Sequence, residues 1–297
     1  MVRRGTYSIV ARDPATGELG VAVQSHWFAV GPIVPWVRPG VGAVATQSIA
    51  SPAYGPRALD RLEHGDGARA ALDALLADDE LARFRQVAVV DARGGVATHT
   101  GEGCIAYAGH QAGEDFSTQA NMMASPEVWP AMAAAFETAS GPLARRLLAA
   151  LHAAEAAGGD ARGRQSSALV VAAAQGEGWQ HAVDVRVDDH PEPLAELERL
   201  LDLSDAYALA TQGDDLLGQG RHAEAGERYR EASARAPENH ELLFWSGLAA
   251  AGAGDMPSAV EQVRKAIRLQ PGWYELLDRL EPEIAPSAAA VRAALDE

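Results

Sequence analysis

The sequence predicts an α+β chain: a four-layer αββα sandwich over residues 1–200, followed by an all-α helical repeat domain over residues 201–297. Three observations predict it. Three β-prone hairpins are spaced along the first part. Two helical patterns separate each hairpin region from the next. The last third repeats at a fixed period.

Residues 7–12 are apolar and β-prone, Asp13-Pro-Ala-Thr-Gly-Glu18 is a turn signal, and residues 19–24 are strand-like again. A Pro- and Gly-rich stretch over 31–40 precedes a strand at 42–49. Helical patterns follow at 56–63 and 68–77. A second hairpin pairs 86–91 with 96–100 through Ala92-Arg-Gly-Gly95. Helices are expected at 126–138 and 142–157. A third hairpin joins 166–174 to 179–187 at Gln175-Gly-Glu-Gly178. Hairpins imply antiparallel sheet, and helix pairs must cover its faces. Two sheets between two helical layers satisfy every apolar face. His190-Pro-Glu-Pro193 breaks the chain, and a helix over 194–203 leads into the repeats.

In the last third, Gly213, Gly220, Ala225, Tyr229, Ala232 and Pro237 recur thirty-four residues later as Gly247, Gly254, Ala259, Val263, Ala266 and Pro271. Each unit reads as two helices with small residues at a close crossing, glycine at the turn and proline after the second helix. The pattern resembles tetratricopeptide repeats over about residues 205–273, with a partial third unit from Tyr274 broken by Pro282 and Pro286. Such units bury their faces against neighbours, and about three are needed for stability. The array is therefore expected to dock on the first domain or on a second copy, and a homodimer is expected. A groove for a protein partner and a packing module are equally compatible with the pattern.

Composition narrows the function classes. The chain of 297 residues is 47% hydrophobic, enough for sizeable cores. A formal charge of −16 disfavours nucleic acid as a partner. No apolar run is long enough for a membrane helix or a secretory signal, so a soluble, cytoplasmic protein is expected. The single Cys104, beside Ile105, reads as a small buried residue rather than a nucleophile. Of 25 basic residues only Lys265 is a lysine; it lies on a repeat helix with no glycines before it, which excludes a P-loop and a pyridoxal site. No His-Glu-x-x-His, Gly-x-Ser-x-Gly or Gly-x-Gly-x-x-Gly occurs, and neither cofactor nor metal is expected.

Thr6-Tyr-Ser-Ile-Val-Ala-Arg-Asp13, Gly17-Glu-Leu-Gly-Val-Ala-Val23, Phe28-Ala-Val-Gly31, Val44-Ala-Thr-Gln47, Tyr54-Gly-Pro56, Gly163-Arg-Gln-Ser166 and Val187-Asp-Asp-His-Pro191 together resemble the DUF1028 family over about residues 5–200. The resemblance implies an N-terminal nucleophile (Ntn) hydrolase-like αββα fold. It also implies a nucleophile at the start of the first strand, which here is Thr6. A free α-amine on that residue, with an ordinary pKa of roughly 7.7 to 8, would be its own general base. Thr6 follows Gly5, so cleavage of the Gly5–Thr6 bond must come first. Proteasome-type sites add a lysine near the nucleophile. This domain has none, so another cation such as Arg38 would take that role, or it is absent.

Other polar candidates stand where strands end, the usual place for a site. Gln47 and Asn121 are candidate donors to a developing oxyanion, catalytic partners to Thr6. Ser25, His26, Ser48, Gln165, Ser166 and Asp189 are candidate substrate-binding groups. His26, followed by Trp27 and Phe28, also reads as a packed histidine. Asp184, Asp188, Asp189 and His190 form an acidic run for which a solvated loop is the simpler reading than a metal site. The leading expectation is an amidohydrolase acting on a small amide or peptide-like bond. A non-catalytic scaffold whose repeats recruit a protein is the rival. An enzyme with Ser25 or Ser48 as internal nucleophile is a third reading.

Overall fold

The computed structural model describes residues 5–296. The chain divides into two compact units, the boundary falling between residues 200 and 201.

The first unit holds two antiparallel sheets. Strands β1 (Thr6–Arg12), β2 (Leu19–Ser25), β7 (Gly109–Gly113), β8 (Phe116–Asn121), β9 (Ser166–Ala172) and β10 (Val183–Val187) form one, in the order β10-β9-β2-β1-β8-β7. Strands β3 (Pro35–Arg38), β4 (Gly42–Ser48), β5 (Arg85–Asp91) and β6 (Val96–Thr100) form the other, in chain order. Helices α1 (Tyr54–Glu63) and α2 (Ala68–Ala77) cover the four-stranded sheet; α3 (Val128–Thr138) and α4 (Leu143–Ala156) cover the six-stranded one. The result is four layers.

Burial on both faces explains the composition of the central strands. β1 alternates: Tyr7 and Ile9 turn to the helices, where the Tyr7 hydroxyl donates to Glu155 of α4 at 2.7 Å. Thr6, Ser8 and Val10 turn to the facing sheet. At one end the space between the sheets is apolar, filled by Val10, Val21, Val23, Ala43, Ala45, Ala88, Val90 and Val170. A second apolar layer, with Val44, Leu59, Leu62, Leu72, Val87 and Val89, seats α1 and α2.

Four features differ from the sequence expectation. The return strand of the third hairpin begins at Val183 rather than 179, and the intervening segment carries an exposed Trp179. Pro35–Arg38, inside the Pro- and Gly-rich stretch, is a short edge strand, a place where proline is tolerated. The pair β7–β8 forms a further hairpin that apolar alternation did not reveal. Its residues are Gly-rich or polar: GHQAG and FSTQAN. Finally, the helix expected over 194–203 runs unbroken as α5 (Pro193–Gly218), with Pro193 at its start.

The second unit contains α6 (His222–Arg235), α7 (His240–Gly252), α8 (Met256–Leu269), α9 (Gly272–Leu277) and α10 (Ala288–Leu295). Of the glycines in the repeat register, Gly213 and Gly247 lie where helices press together, while Gly220 and Gly254 turn the chain with positive φ and open space around them. A β-carbon on Gly213 would meet the Tyr229 ring at 2.9 Å, and one on Gly247 would meet Val263 Cγ2 at 2.7 Å. Asn239 and Asp255 cap α7 and α8 by accepting from Leu242 N and Ser258 N. An apolar groove of about 380 Å³ runs between Leu217, Tyr229, Trp245, Leu248 and Ile284. Among the described residues no helix is long and apolar enough to cross a membrane.

Candidate functional site

Toward the Thr6 end of β1, the interior between the sheets changes from apolar to polar. The register places Thr6 opposite Ser25 on one side and Asn121 on the other. In the second sheet Gln47 pairs with Gln86. Thr6, Ser8, Ser25, Gln47, Gln86, Gln119 and Asn121 are all buried. Burying amides and hydroxyls is costly unless they are hydrogen-bonded, and here they bond one another.

The chain of bonds runs in one direction. Ser117 Oγ donates to Gln119 Oε1 at 3.0 Å, and Gln119 Nε2 to Ser8 Oγ at 2.6 Å. Ser8 Oγ donates to Gln47 Oε1 at 2.7 Å. Gln47 Nε2 lies 2.8 Å from Gln86 Oε1 and 3.3 Å from the Thr6 carbonyl oxygen. Asn121 Nδ2 donates to the same Gln86 Oε1 at 3.0 Å. Gln86 Nε2 in turn reaches Thr100 Oγ1 at 2.9 Å, which faces His110 Nδ1 at 2.8 Å. Burial holds His110 below the ordinary imidazole pKa. Ser48 and Met122, next to Gln47 and Asn121, both adopt left-handed backbone (φ 68° and 60°), a strained conformation that side chains tolerate where surroundings impose it.

A second set of groups surrounds the Gly5–Thr6 peptide. Thr6 Oγ1 donates to Ser25 Oγ at 3.1 Å, and Ser25 Oγ donates to the Gly5 carbonyl oxygen at 2.5 Å. Arg162 Nη2 reaches the same carbonyl oxygen at 2.9 Å. Asp160 aims Arg162: its oxygens accept from Nε at 3.0 Å and from Nη2 at 2.7 Å. Asp160 is itself pinned by the backbone N–H groups of His26 at 3.1 Å and Arg162 at 2.9 Å, and its side chain is 0% exposed. Fork-to-carboxylate pairing of this kind fixes direction as well as charge. A hydroxyl and a guanidinium on one peptide oxygen draw electron density from its carbon, next to the Thr6 hydroxyl.

Four of the sequence candidates thus meet: Thr6, Ser25, Gln47 and Asn121. Gln47 and Asn121 approach the carbonyl of Thr6, while Ser25 engages the hydroxyl and the preceding peptide. The others stand apart. His26 enters through its backbone; its ring Nδ1 faces the Arg164 carbonyl at 3.2 Å. Ser166 Oγ donates to the Trp27 carbonyl and accepts from Val30 N, anchoring the loop after β2. Gln165 Nε2 donates to Asp189 Oδ1 at 3.2 Å, an exposed pair beside β9. Ser48 neighbours Cys104, whose thiol is pushed up in pKa by burial. In the acidic run, Asp184 pairs with Arg186 and His190 Nδ1 accepts from Glu192 N. Among the described residues no group of three or more His, Cys, Asp and Glu side chains gathers as metal ligands do.

Arg38 is not the cation near Thr6. It pairs with Asp60 and Glu63, and its register partner is Gly42, at the far end of β4 from Gln47. Arg162 stands there instead. Sequence reasoning passed over Asp160 and Arg162, although they immediately precede the Gly163-Arg-Gln-Ser166 motif. It also passed over Ser8, Gln86 and Gln119. Their signal was polar residues at inward positions of strands otherwise rich in valine and alanine.

A profile of the family of unknown function DUF1028 matches residues 6–197, and a tetratricopeptide-repeat profile matches residues 210–272. Among solved structures, protein SPO2555 of Silicibacter pomeroyi, a DUF1028 protein, is 32% identical with a TM-score of 0.60, over 66% of this chain and 84% of that one. The Anbu protein (ancestral beta-subunit) of Yersinia bercovieri is 11% identical with a TM-score of 0.33, over 65% of this chain and 91% of its own. No curated protein matches the sequence. The chain belongs to the DUF1028 family through its first unit and carries tetratricopeptide repeats in its second.

Proposed function

We propose that the first unit is an amidohydrolase of N-terminal nucleophile type, acting on a small amide or peptide-like bond, with Thr6 as its nucleophile once the Gly5–Thr6 bond is cut. One observation carries the reading: the Thr6 hydroxyl is hydrogen-bonded to Ser25, and Ser25 with Arg162 holds the carbonyl oxygen of the bond that must break. Those donors have no part in sheet pairing.

In the cut enzyme the Thr6 amine takes the hydroxyl proton as the oxygen attacks the substrate carbonyl carbon. Ser25 and Arg162 receive the oxygen as it becomes negative. A preorganised donor in such a place contributes about 3–4 kcal/mol. Gln47 and Asn121, locked to Gln86, hold the Thr6 carbonyl and so set where the amine lies. The Arg162 guanidinium supplies the positive charge that lysine provides elsewhere. The tetratricopeptide region suggests protein–protein interaction, and its apolar groove is the surface for a partner. A non-catalytic scaffold is the second reading. It has in its favour that Thr6 is 1% exposed with Gly5 still attached.

Intact mass spectrometry of the protein from its own cells separates the two. Loss of residues 1–5 in the active form, together with loss of amide hydrolysis in Thr6→Ala, supports the nucleophile. A full-length mass in active protein removes it. Removing residues 205–297 should abolish capture of a partner without abolishing hydrolysis.

A further inference from the structure

Resting on that reading, we infer that the enzyme takes amides whose acyl α-carbon carries no side chain: glycyl-type substrates, R–CO–NH–CH₂–CO–NH–R′, cut after the glycyl carbonyl. The reason is steric. An ideal β-carbon built on Gly5 would lie 2.7 and 2.8 Å from the two carboxylate oxygens of Asp160 and 2.9 Å from its Cγ. Asp160 has nowhere to go. Its side chain is buried, and backbone N–H groups of His26 and Arg162 and the Arg162 guanidinium hold both oxygens.

The chemistry transfers this restriction from the chain's own bond to its substrates. When Thr6 Oγ1 attacks the Gly5 carbonyl carbon, a C–O bond forms and the C–N bond to Thr6 breaks. The hydroxyl proton ends on the Thr6 nitrogen. The species formed is a glycyl ester of Thr6, which water splits into the Gly5 carboxylate and the free hydroxyl. Hydrolysis of a glycyl amide in the cut enzyme passes through the same ester, with the leaving amine protonated instead of Thr6. Any acyl group must therefore occupy the place of Gly5, with its α-carbon against Asp160 and its carbonyl oxygen on Ser25 and Arg162. A methyl on that α-carbon meets a fixed carboxylate, whereas hydrogen fits. Discrimination of one methyl by a rigid wall reaches the order of a hundredfold.

Two measurements test it. A chain begun at Thr6 behind a removable Met is assayed with N-acetylglycyl p-nitroanilide and N-acetyl-L-alanyl p-nitroanilide. The glycyl compound should be hydrolysed with kcat/KM on the order of a hundredfold higher. Equal rates, faster alanyl turnover, or hydrolysis of neither overturns the inference. In the encoded chain, Gly5→Ala should keep its full mass where the wild type loses residues 1–5, with thermal melting confirming that the variant folds. A wild type that stays whole sinks the Thr6 nucleophile itself. A Gly5→Ala chain cut as fast as wild type sinks only the substrate class.

Discussion

Gln86 and Asn121 join the two sheets: Asn121 Nδ2 of the six-stranded sheet donates to Gln86 Oε1 of the four-stranded one at 3.0 Å. The same oxygen accepts from Gln47, so one amide orients the two side chains that contact the Thr6 carbonyl. Gln86→Leu should remove the acceptor they share, leaving Gln47 Nε2 the Thr6 and Gln119 carbonyls at 3.3 Å and Asn121 Nδ2 the Thr6 carbonyl at 3.5 Å. Each hydrogen bond lost costs about 0.5–1.5 kcal/mol. Urea unfolding should show a midpoint lowered accordingly, and an unchanged midpoint would mean the network contributes nothing to holding the sheets.

Arg162 donates to the Gly5 carbonyl oxygen, and Asp160 holds the Arg162 guanidinium. Under the proposed mechanism, Arg162→Leu in the cut enzyme should lower kcat by about 10²–10³, the loss of one oxyanion donor. KM should change far less, because the contact strengthens only as charge develops. A drop confined to KM would assign Arg162 to ground-state binding.

The pair Arg85–Asp79 makes stability depend on acid. The guanidinium of Arg85 donates to Asp79 at 2.7 Å and holds the carboxyl below its ordinary value of 3.8, and Tyr54 adds a hydrogen bond. A carboxylate whose pKa is depressed by folding stabilises the fold above the unfolded value and loses that contribution as pH falls through the folded one. The stability difference between wild type and Asp79→Asn should be full at neutral pH and shrink below about pH 4. A difference independent of pH would place the effect elsewhere than in the charge.

Two helical glycines of the repeats should respond in opposite directions. Gly226 of α6 has open space where a β-carbon would go, so Gly226→Ala should stabilise by about 0.5–1 kcal/mol through helix propensity and a less flexible unfolded chain. At Gly247 a β-carbon would stand 2.7 Å from Val263 Cγ2 and 3.0 Å from the Ala259 carbonyl oxygen. Gly247→Ala should destabilise by about 1–3 kcal/mol through overpacking. Melting curves of the two variants decide it; equal shifts would mean that the helix crossing is not as close as 2.7 Å implies.

What was legible in the sequence was local. Period-two and helical patterns, turn residues and the thirty-four-residue register located three hairpins, the helix pairs and the repeats, because each depends on neighbours along the chain. The hairpin β7–β8 escaped because β8 lines the polar part of the interior and β7 is a mostly exposed edge strand, so the expected apolar signal is missing. The candidate site was half legible. Ser25, Gln47 and Asn121 stood out as polar residues at strand ends, and Thr6 through the family resemblance. That Gly5 meets Asp160 and Arg162, more than 150 positions away, was decided by tertiary structure alone. Strand order and register bring the loop after α4 to the start of β1, and no short-range pattern encodes a contact whose partners are joined only through the whole sandwich.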